Sequence, residues 1–391
     1  MIRPLRPVIL LLSLVSRSLF VVGLLLVGQL RAELPPPRAD TSETPSVVYF
    51  TLDQNAVGAG MTPQLPIVSR MLASLVCAVT GKPTPDAAWR SLVKPGEKVG
   101  IKVSAQPGPI GGTHPAVAQA VVEGLLAAGI SANDIIVWDR RREDLVGCGY
   151  DKIPGLNLRW VEKGAGYDPR AVVNTAAIGQ LVYGDLSFKE SRSSLSEILG
   201  PKAQLSNESH LPVLLAREID KVINIPSLCD SYFTGVNGAL AGMTVGILDN
   251  WRRFSKGDGY GDSALAECYA DERIGKKVIL TIMDGMVLQY AGGPYASPVN
   301  CVSYSSLFAS KDPVAIDATA LRLIDEQRQL SSMPKASVDG GHVGEAATRG
   351  LGNNEQNMIT LKRIGVGGFG QHPGPASVPV SPSSPVSAGK N

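Results

Sequence analysis

Val99-Gly-Ile-Lys-Val103, Ser104-Ala-Gln-Pro-Gly-Pro-Ile-Gly-Gly112, Thr113-His-Pro115 and Ile135-Ile-Val-Trp-Asp-Arg140 belong to one passage whose reading decides the fold. Val99 to Val103 is short and rich in β-branched residues, which predicts a strand. A loop of glycine and proline follows. Thr113 stands where a helix cap is needed, with Pro115 in the first turn, where its missing N–H costs nothing. Val117, Val121, Leu125 and Ala128 recur at helical spacing, so one face of that helix can pack on a sheet, and Gly129 ends it. Ile135 to Asp139 is the next strand and delivers an acid at its carboxyl end. A strand–loop–helix–strand unit implies a mainly parallel sheet, with any ligand outside the carboxyl ends of its strands.

Towards the amino terminus, Val47 to Thr51 reads as a first strand. Pro66 to Thr80 carries Leu72, Leu75, Val76 and Val79 on one helical face, and Pro85 to Leu92 is a second helix. The order β-α-α-β-α-β predicts an α/β fold with a mainly parallel, Rossmann-like doubly wound sheet. Beyond Arg140 the periodicity weakens. Residues 141–212 read as an irregular insertion or cap over the ligand edge, with strand-like pieces at Leu158 to Val161 and Leu181 to Phe188. Leu211 to Ile219 looks helical. Strands are expected at Lys221 to Ile225, at Lys277 to Met283 ending in Asp284-Gly285, at Val302 to Ala309 and at Met358 to Ile364. The longest remaining helix is Asp312 to Leu330.

With 391 residues, 44% hydrophobic and 18% charged, the chain can bury a large core. A net charge of +2 without basic runs excludes a nucleic-acid partner. Arg3 and Arg6 precede an apolar run from Val8 to Val27, so residues 1–32 read as an export signal, with Ala32 the cleavage point. The alternative is an uncleaved membrane anchor, which would carry Arg17 in its middle. Residues 33–46 form a linker, 47–365 the α/β domain and 366–391 a disordered glycine-, proline- and serine-rich tail. The expected location is the periplasm or cell envelope. Cys77, Cys148, Cys229, Cys268 and Cys301 are scattered without a Cys-x-x-Cys pair, a spacing that suits no iron–sulfur cluster.

Several residues could carry chemistry. Asp312-Pro313 is a helix start, and capping explains Asp312. Asp317 falls beside Val314, Leu321 and Ile324 on the core side of that helix, where a carboxylate needs a cation, several donors or a metal. Arg328 shares that side and is the structural candidate for its partner. Asp139 and Asp284 each end a predicted strand, and Asp230 follows another. Three acids on one rim could bind a divalent cation through oxygen ligands or act as general acid and base, although acids also end strands as turn residues. Lys102 and the loop to Gly111, Gly112 and Thr113 make an anion cradle, because a helix amino terminus with bare glycine amides attracts phosphate or carboxylate. His114 could be a base, and Arg252 and Arg253 could clamp an acidic substrate. His210 and His342 have no companion at metal-ligand spacing.

Ala88-Trp-Arg-Ser-Leu-Val93, Val99 to Val103, Thr113-His-Pro115, Ile135 to Arg140, Lys221-Val-Ile-Asn-Ile-Pro226, Asn250-Trp-Arg-Arg-Phe254, Gly292-Gly-Pro294 and Asp312 to Asp317 together resemble domain-of-unknown-function family 362. The likeness runs from Val47 to Ile364 and implies the same α/β fold. Some members of the family carry ferredoxin-like cysteine clusters, which this sequence lacks. A weaker similarity reaches nickel-pincer enzymes of the lactate racemase type. It would place a histidine near Ser231 and a lysine near Ala241, and members of the family keep Lys and His around Cys229 and Ser231 and Lys-Asn at Ala241-Gly242. Serine and alanine can neither hold a covalent pincer nor shuttle a proton, although Cys229 could serve as a nucleophile or soft ligand. Two readings follow: an exported enzyme acting on a small anionic molecule at the carboxyl edge, or a binding or scaffold protein that has lost the family's active groups.

Overall fold

A computed structural model of the chain describes residues 44–180, 205–254, 260–336 and 340–366. The expected export signal, nearly all of the linker, the strand-like piece Leu181 to Phe188 and the tail beyond residue 366 lie outside the described residues. In chain order the elements are β1 (Ser46–Leu52), α1 (Leu65–Thr80), α2 (Pro85–Leu92), β2 (Val99–Val103), α3 (Gly108–Gly111), α4 (Pro115–Ala127), β3 (Ile135–Asp139), α5 (Arg142–Cys148), β4 (Leu158–Trp160), β5 (Tyr167–Gln180), β6 (Leu205–Pro212) and β7 (Lys221–Ile225). They continue with β8 (Ser227–Ser231), β9 (Gly235–Val236), α6 (Ala239–Gly242), α7 (Tyr260–Ala270), β10 (Val278–Gln289), β11 (Cys301–Ser310), α8 (Pro313–Leu330), α9 (Gly341–Thr348) and β12 (Ile359–Arg363).

One large sheet runs in the order β12-β1-β11-β10-β7-β2-β3-β4, with β8 and β9 attached beside β10. From β10 across to β4 every neighbour is parallel. β11 joins antiparallel to both β10 and β1, and β12 closes that side parallel to β1. Both faces are covered because the strands alternate their side chains between two apolar layers. Val99, Ile101, Val103, Ile135 and Val137 meet Leu75 of α1, Trp89 of α2 and Val121 and Leu125 of α4. Ile136, Trp138 and Val222 meet Leu214, Leu240, Ile247 and Leu265 on the other side. Each wholly buried leucine or isoleucine in these layers contributes about 1.5–3 kcal/mol. The expected mainly parallel α/β architecture is therefore the observed one. Among the described residues no single helix is long and apolar enough to cross a membrane.

Some local expectations change. Thr113 does not cap α4; His114 occupies that position, and the Thr113 hydroxyl donates to the Ile225 carbonyl at 2.5 Å and accepts the Ser104 amide at 2.9 Å. Asp284 does not end its strand, because β10 continues through it to Gln289. Aspartate and glycine normally signal a turn, but here the carboxylate is held by hydrogen bonds inside the fold, and at Asp284 the partner changes from β7 to β8. The stretch after Arg140 is more regular than its sequence suggests. β4 is the edge strand of the main sheet and β5 pairs antiparallel with β6 as a separate hairpin. The expected helix from Leu211 starts later, as a π-helical turn at Leu214–Glu218, because Leu211 and Pro212 end β6.

Candidate functional site

The predicted rim exists, but its acids point inward and tie the loops down. Asp139 pairs with the buried Lys102 ammonium at 2.8 Å and accepts the Ala105 and Arg140 amides at 2.8 and 2.7 Å. Lys102 also donates to the Val103 carbonyl and lies 5.8 Å from the Trp138 ring centre. Asp284 accepts the His114 amide at 2.7 Å and His114 Nδ1 at 2.8 Å, and its second oxygen takes the Met286 amide at 3.0 Å. An ionised carboxylate only accepts hydrogen bonds, so this contact keeps a proton on Nδ1. His114 Nε2 is buried without a hydrogen-bond partner. Asp230 accepts the Gly293 amide at 2.8 Å, and burial raises its pKa above the ordinary carboxylate value.

The expected anion cradle is closed. The Gly108, Gly112 and Thr113 amides are bonded to the carbonyls of Ala105, Gly108 and Ser104, and Asp139 and Asp284 take those of Ala105 and His114. A side chain at Gly111 would collide with Gln289, so that glycine serves close packing. With the loop amides bonded internally and the Lys102 charge compensated, this segment presents no open anion site.

Asp317 does not pair with Arg328, which donates instead to the Pro334 and Tyr290 carbonyls. Its two oxygens accept the Ala239 and Leu240 amides at 2.6 and 2.9 Å, capping α6 from another element. Burial pushes its pKa up to about 7. A side chain at Gly238 would run into this carboxylate. Asp317 is thus a positioning residue for the segment from Asn237 to Gly246.

Among the described residues no group of three or more His, Cys, Asp and Glu side chains is placed to hold a metal ion. The three rim acids engage separate partners instead of converging, which corrects the divalent-cation expectation. Arg253 is also turned away from the rim. It is buried and donates to Ser209 Oγ, Thr175 Oγ1 and the Val173 carbonyl, which fastens the β5–β6 hairpin. Arg252 is exposed and lies over the Trp251 ring, 4.8 Å from its centre.

An open cleft lies at the same edge, lined by other residues: Gln106 after β2, Arg140 after β3, Ser231 at the end of β8, Asn237, Trp251 and Phe254 among them. Arg140 is only 7% exposed. Among the described residues its guanidinium makes one hydrogen bond, from Nη1 to the Val245 carbonyl at 2.9 Å, and stacks on Trp251 with 4.9 Å to the ring centre. Glu162 approaches Nε at 3.5 Å, yet Nε has no hydrogen-bond partner. No carboxylate or imidazole is among the lining residues. A buried guanidinium beside neutral lining groups can donate to a carboxylate or phosphate oxygen.

Sequence reasoning passed over these residues. The usable signal was position: Arg140 directly follows the acid that ends β3, and Ser231 follows Asp230 and itself ends β8. It also missed a second buried histidine–carboxylate pair, in which Asp249 accepts His210 Nδ1 at 2.7 Å and the His210 amide at 2.6 Å.

Residues 99–322 match the family model described as a domain of unknown function, DUF362. The chain belongs to the DUF362 family. No curated protein matches it. Among solved structures, one similar chain is a crystal structure of a Thermotoga maritima protein, 15% identical with a TM-score of 0.38. That alignment covers 70% of this chain and 60% of the other, so this DUF362 chain spans about three fifths of that protein's length. The family membership leaves chemistry to the residues. Ser231 Oγ accepts the Phe233 and Thr234 amides and Ala241 is buried, so neither position offers an imidazole or an amine, and a pincer cofactor does not fit them. Cys229 is wholly buried and its thiol pKa is raised well above the ordinary value, which suits neither a nucleophile nor an open ligand position.

Proposed function

We propose that this protein binds a small anionic molecule in the cleft at the carboxyl edge of its parallel strands, with Arg140 as the anchor. The observation that carries this reading is the Arg140 guanidinium itself: nine-tenths buried, stacked on Trp251 and, with Glu162 no nearer than 3.5 Å, retaining an Nε donor that makes no hydrogen bond among the described residues. A buried cation gains from an incoming anion because the low-dielectric surroundings strengthen the attraction. The amino-terminal apolar run supports an exported protein that meets its ligand outside the cytoplasm.

A second reading, catalysis, is favoured by one feature. Among the described residues His114 has Nδ1 hydrogen-bonded to Asp284 and Nε2 without a hydrogen-bond partner, which is the orientation that a general base needs. His114 is not among the cleft-lining residues, so binding is the stronger reading.

Calorimetric titration of the full chain with acetate, oxalate and inorganic phosphate tests it. At least one of these should bind, and Arg140→Gln should weaken that binding about 10- to 100-fold, the worth of a charged hydrogen bond. Arg140→Lys keeps the charge and should retain part of the affinity. Equal affinity in all three proteins, or no binding of any anion, refutes the proposal.

A further inference from the structure

The cleft has a lip made of aromatic rings. Tyr232 follows the lining residue Ser231, Tyr295 follows the lining residue Pro294, and the Tyr232 amide joins the two loops by donating to the Gly293 carbonyl. Tyr232 and Tyr295 are 51% and 48% exposed, unusual for large rings in this fold. Their ring centres lie 6.1 Å apart, Tyr232 lies 3.9 Å from Phe233, and Phe233 meets Trp251 edge-on at 6.2 Å. The rings thus form a continuous row from solvent to the tryptophan on which Arg140 stacks.

Beside this row stand two carboxamides, Gln106 and Asn237. Amide side chains each offer donors and an acceptor, and no side-chain hydrogen bond occupies either of them among the described residues.

Resting on the anion-binding reading above, we infer that the ligand is a sugar acid, a pyranose ring bearing one carboxylate. The carboxylate meets Arg140, the ring hydroxyls meet Gln106 and Asn237, and an apolar face of the ring lies on Tyr232 and Tyr295. Charge favours this over a phosphate ester. One guanidinium, with Glu162 at 3.5 Å, balances a single negative charge better than two. A purely aromatic acid would use the rings but leave both carboxamides without partners, which costs affinity where water is excluded.

The experiment titrates the full chain with glucuronate, galacturonate, glucose, acetate, benzoate and adenosine monophosphate. A uronate should bind at least tenfold more tightly than glucose or acetate, since two kinds of contact then act together. Replacing Tyr232 and Tyr295 together by alanine should weaken uronate binding about fivefold and leave acetate unchanged. Both tyrosines are half exposed, so the double variant keeps its fold, and its unfolding midpoint verifies this. If anions bind through Arg140 but uronates gain nothing over acetate, or benzoate or the nucleotide binds more tightly, the sugar-acid inference falls and the anion site stands. If no anion responds to Arg140→Gln, both fall together.

Discussion

Asp139 and Arg140 are consecutive residues at one strand end, and they face different tasks. Asp139 turns inward, compensates Lys102 and fixes two amides, whereas Arg140 lines the cleft with a donor left over. The division recurs at β8, where Asp230 holds Gly293 and the next residue, Ser231, lines the cleft. Acids at the ends of these strands hold loop amides, and the residue one step further lines the cleft. The inner layer should therefore govern stability and the outer one affinity.

The largest effect should come from the inner layer. Asp139→Ala leaves the Lys102 ammonium buried without a counter-charge and frees the Ala105 and Arg140 amides, so it should cost about 3–5 kcal/mol in urea unfolding. Replacing the pair together, Lys102→Met with Asp139→Leu, should recover a large part of that loss, since two apolar side chains need no compensation. A loss below about 1 kcal/mol in the single variant, with anion binding abolished, would place Asp139 in the outer layer and break the division.

Asp317 sharpens the comparison through pH. Its pKa in the folded protein, about 7, lies above the ordinary 3.8 expected when the chain is unfolded. The fold holds this proton more tightly, so the contribution is fully favourable below 3.8 and is lost as pH rises to about 7. Asp317→Asn removes that titration and gives up one of two amide contacts, a pH-independent cost of about 1–3 kcal/mol. The stability gap between wild type and the variant should shrink as pH climbs through this window. A constant gap would show that Asp317 stays ionised throughout and acts as a plain cap.

The elements legible in the sequence are those whose pattern is local. β2, β3 and β7 fall where alternation and turn residues place them, and α1, α2 and α8 start at proline-marked first turns. Thr113 misled because its hydroxyl has two long-range partners, which no local rule weighs. β10 reads too short because Asp284-Gly285 resembles a turn until His114, 170 residues away in sequence, supplies the donors. The rim was legible for the same topological reason that makes the sheet parallel. Which side chain of each rim pair enters the cleft was not, because the lining residues come from separate loops whose meeting depends on the packed whole. Arg140 was in plain view beside Asp139, but charge alone does not tell an ion pair from an open donor.

Arg252 and Arg253, between the lining residues Trp251 and Phe254, repeat the contrast and give the smallest expected effect. Arg253 is buried, its pKa is pushed down to about 10 by desolvation, and three hairpin groups accept from it. Arg253→Ala orphans those acceptors and should cost about 2 kcal/mol while releasing the β5–β6 hairpin to faster amide exchange. Arg252 is exposed and stacks on Trp251, a contact worth about 0.5–1 kcal/mol at such a site. Arg252→Ala should therefore leave the unfolding midpoint nearly unchanged and alter acetate binding by less than about twofold, because no carboxylate bound at Arg140 needs a second cation across a stacked indole. A tenfold loss of acetate affinity in Arg252→Ala would show that the anion is held by both guanidinium groups that stack on Trp251, and would move the binding centre away from Arg140 alone.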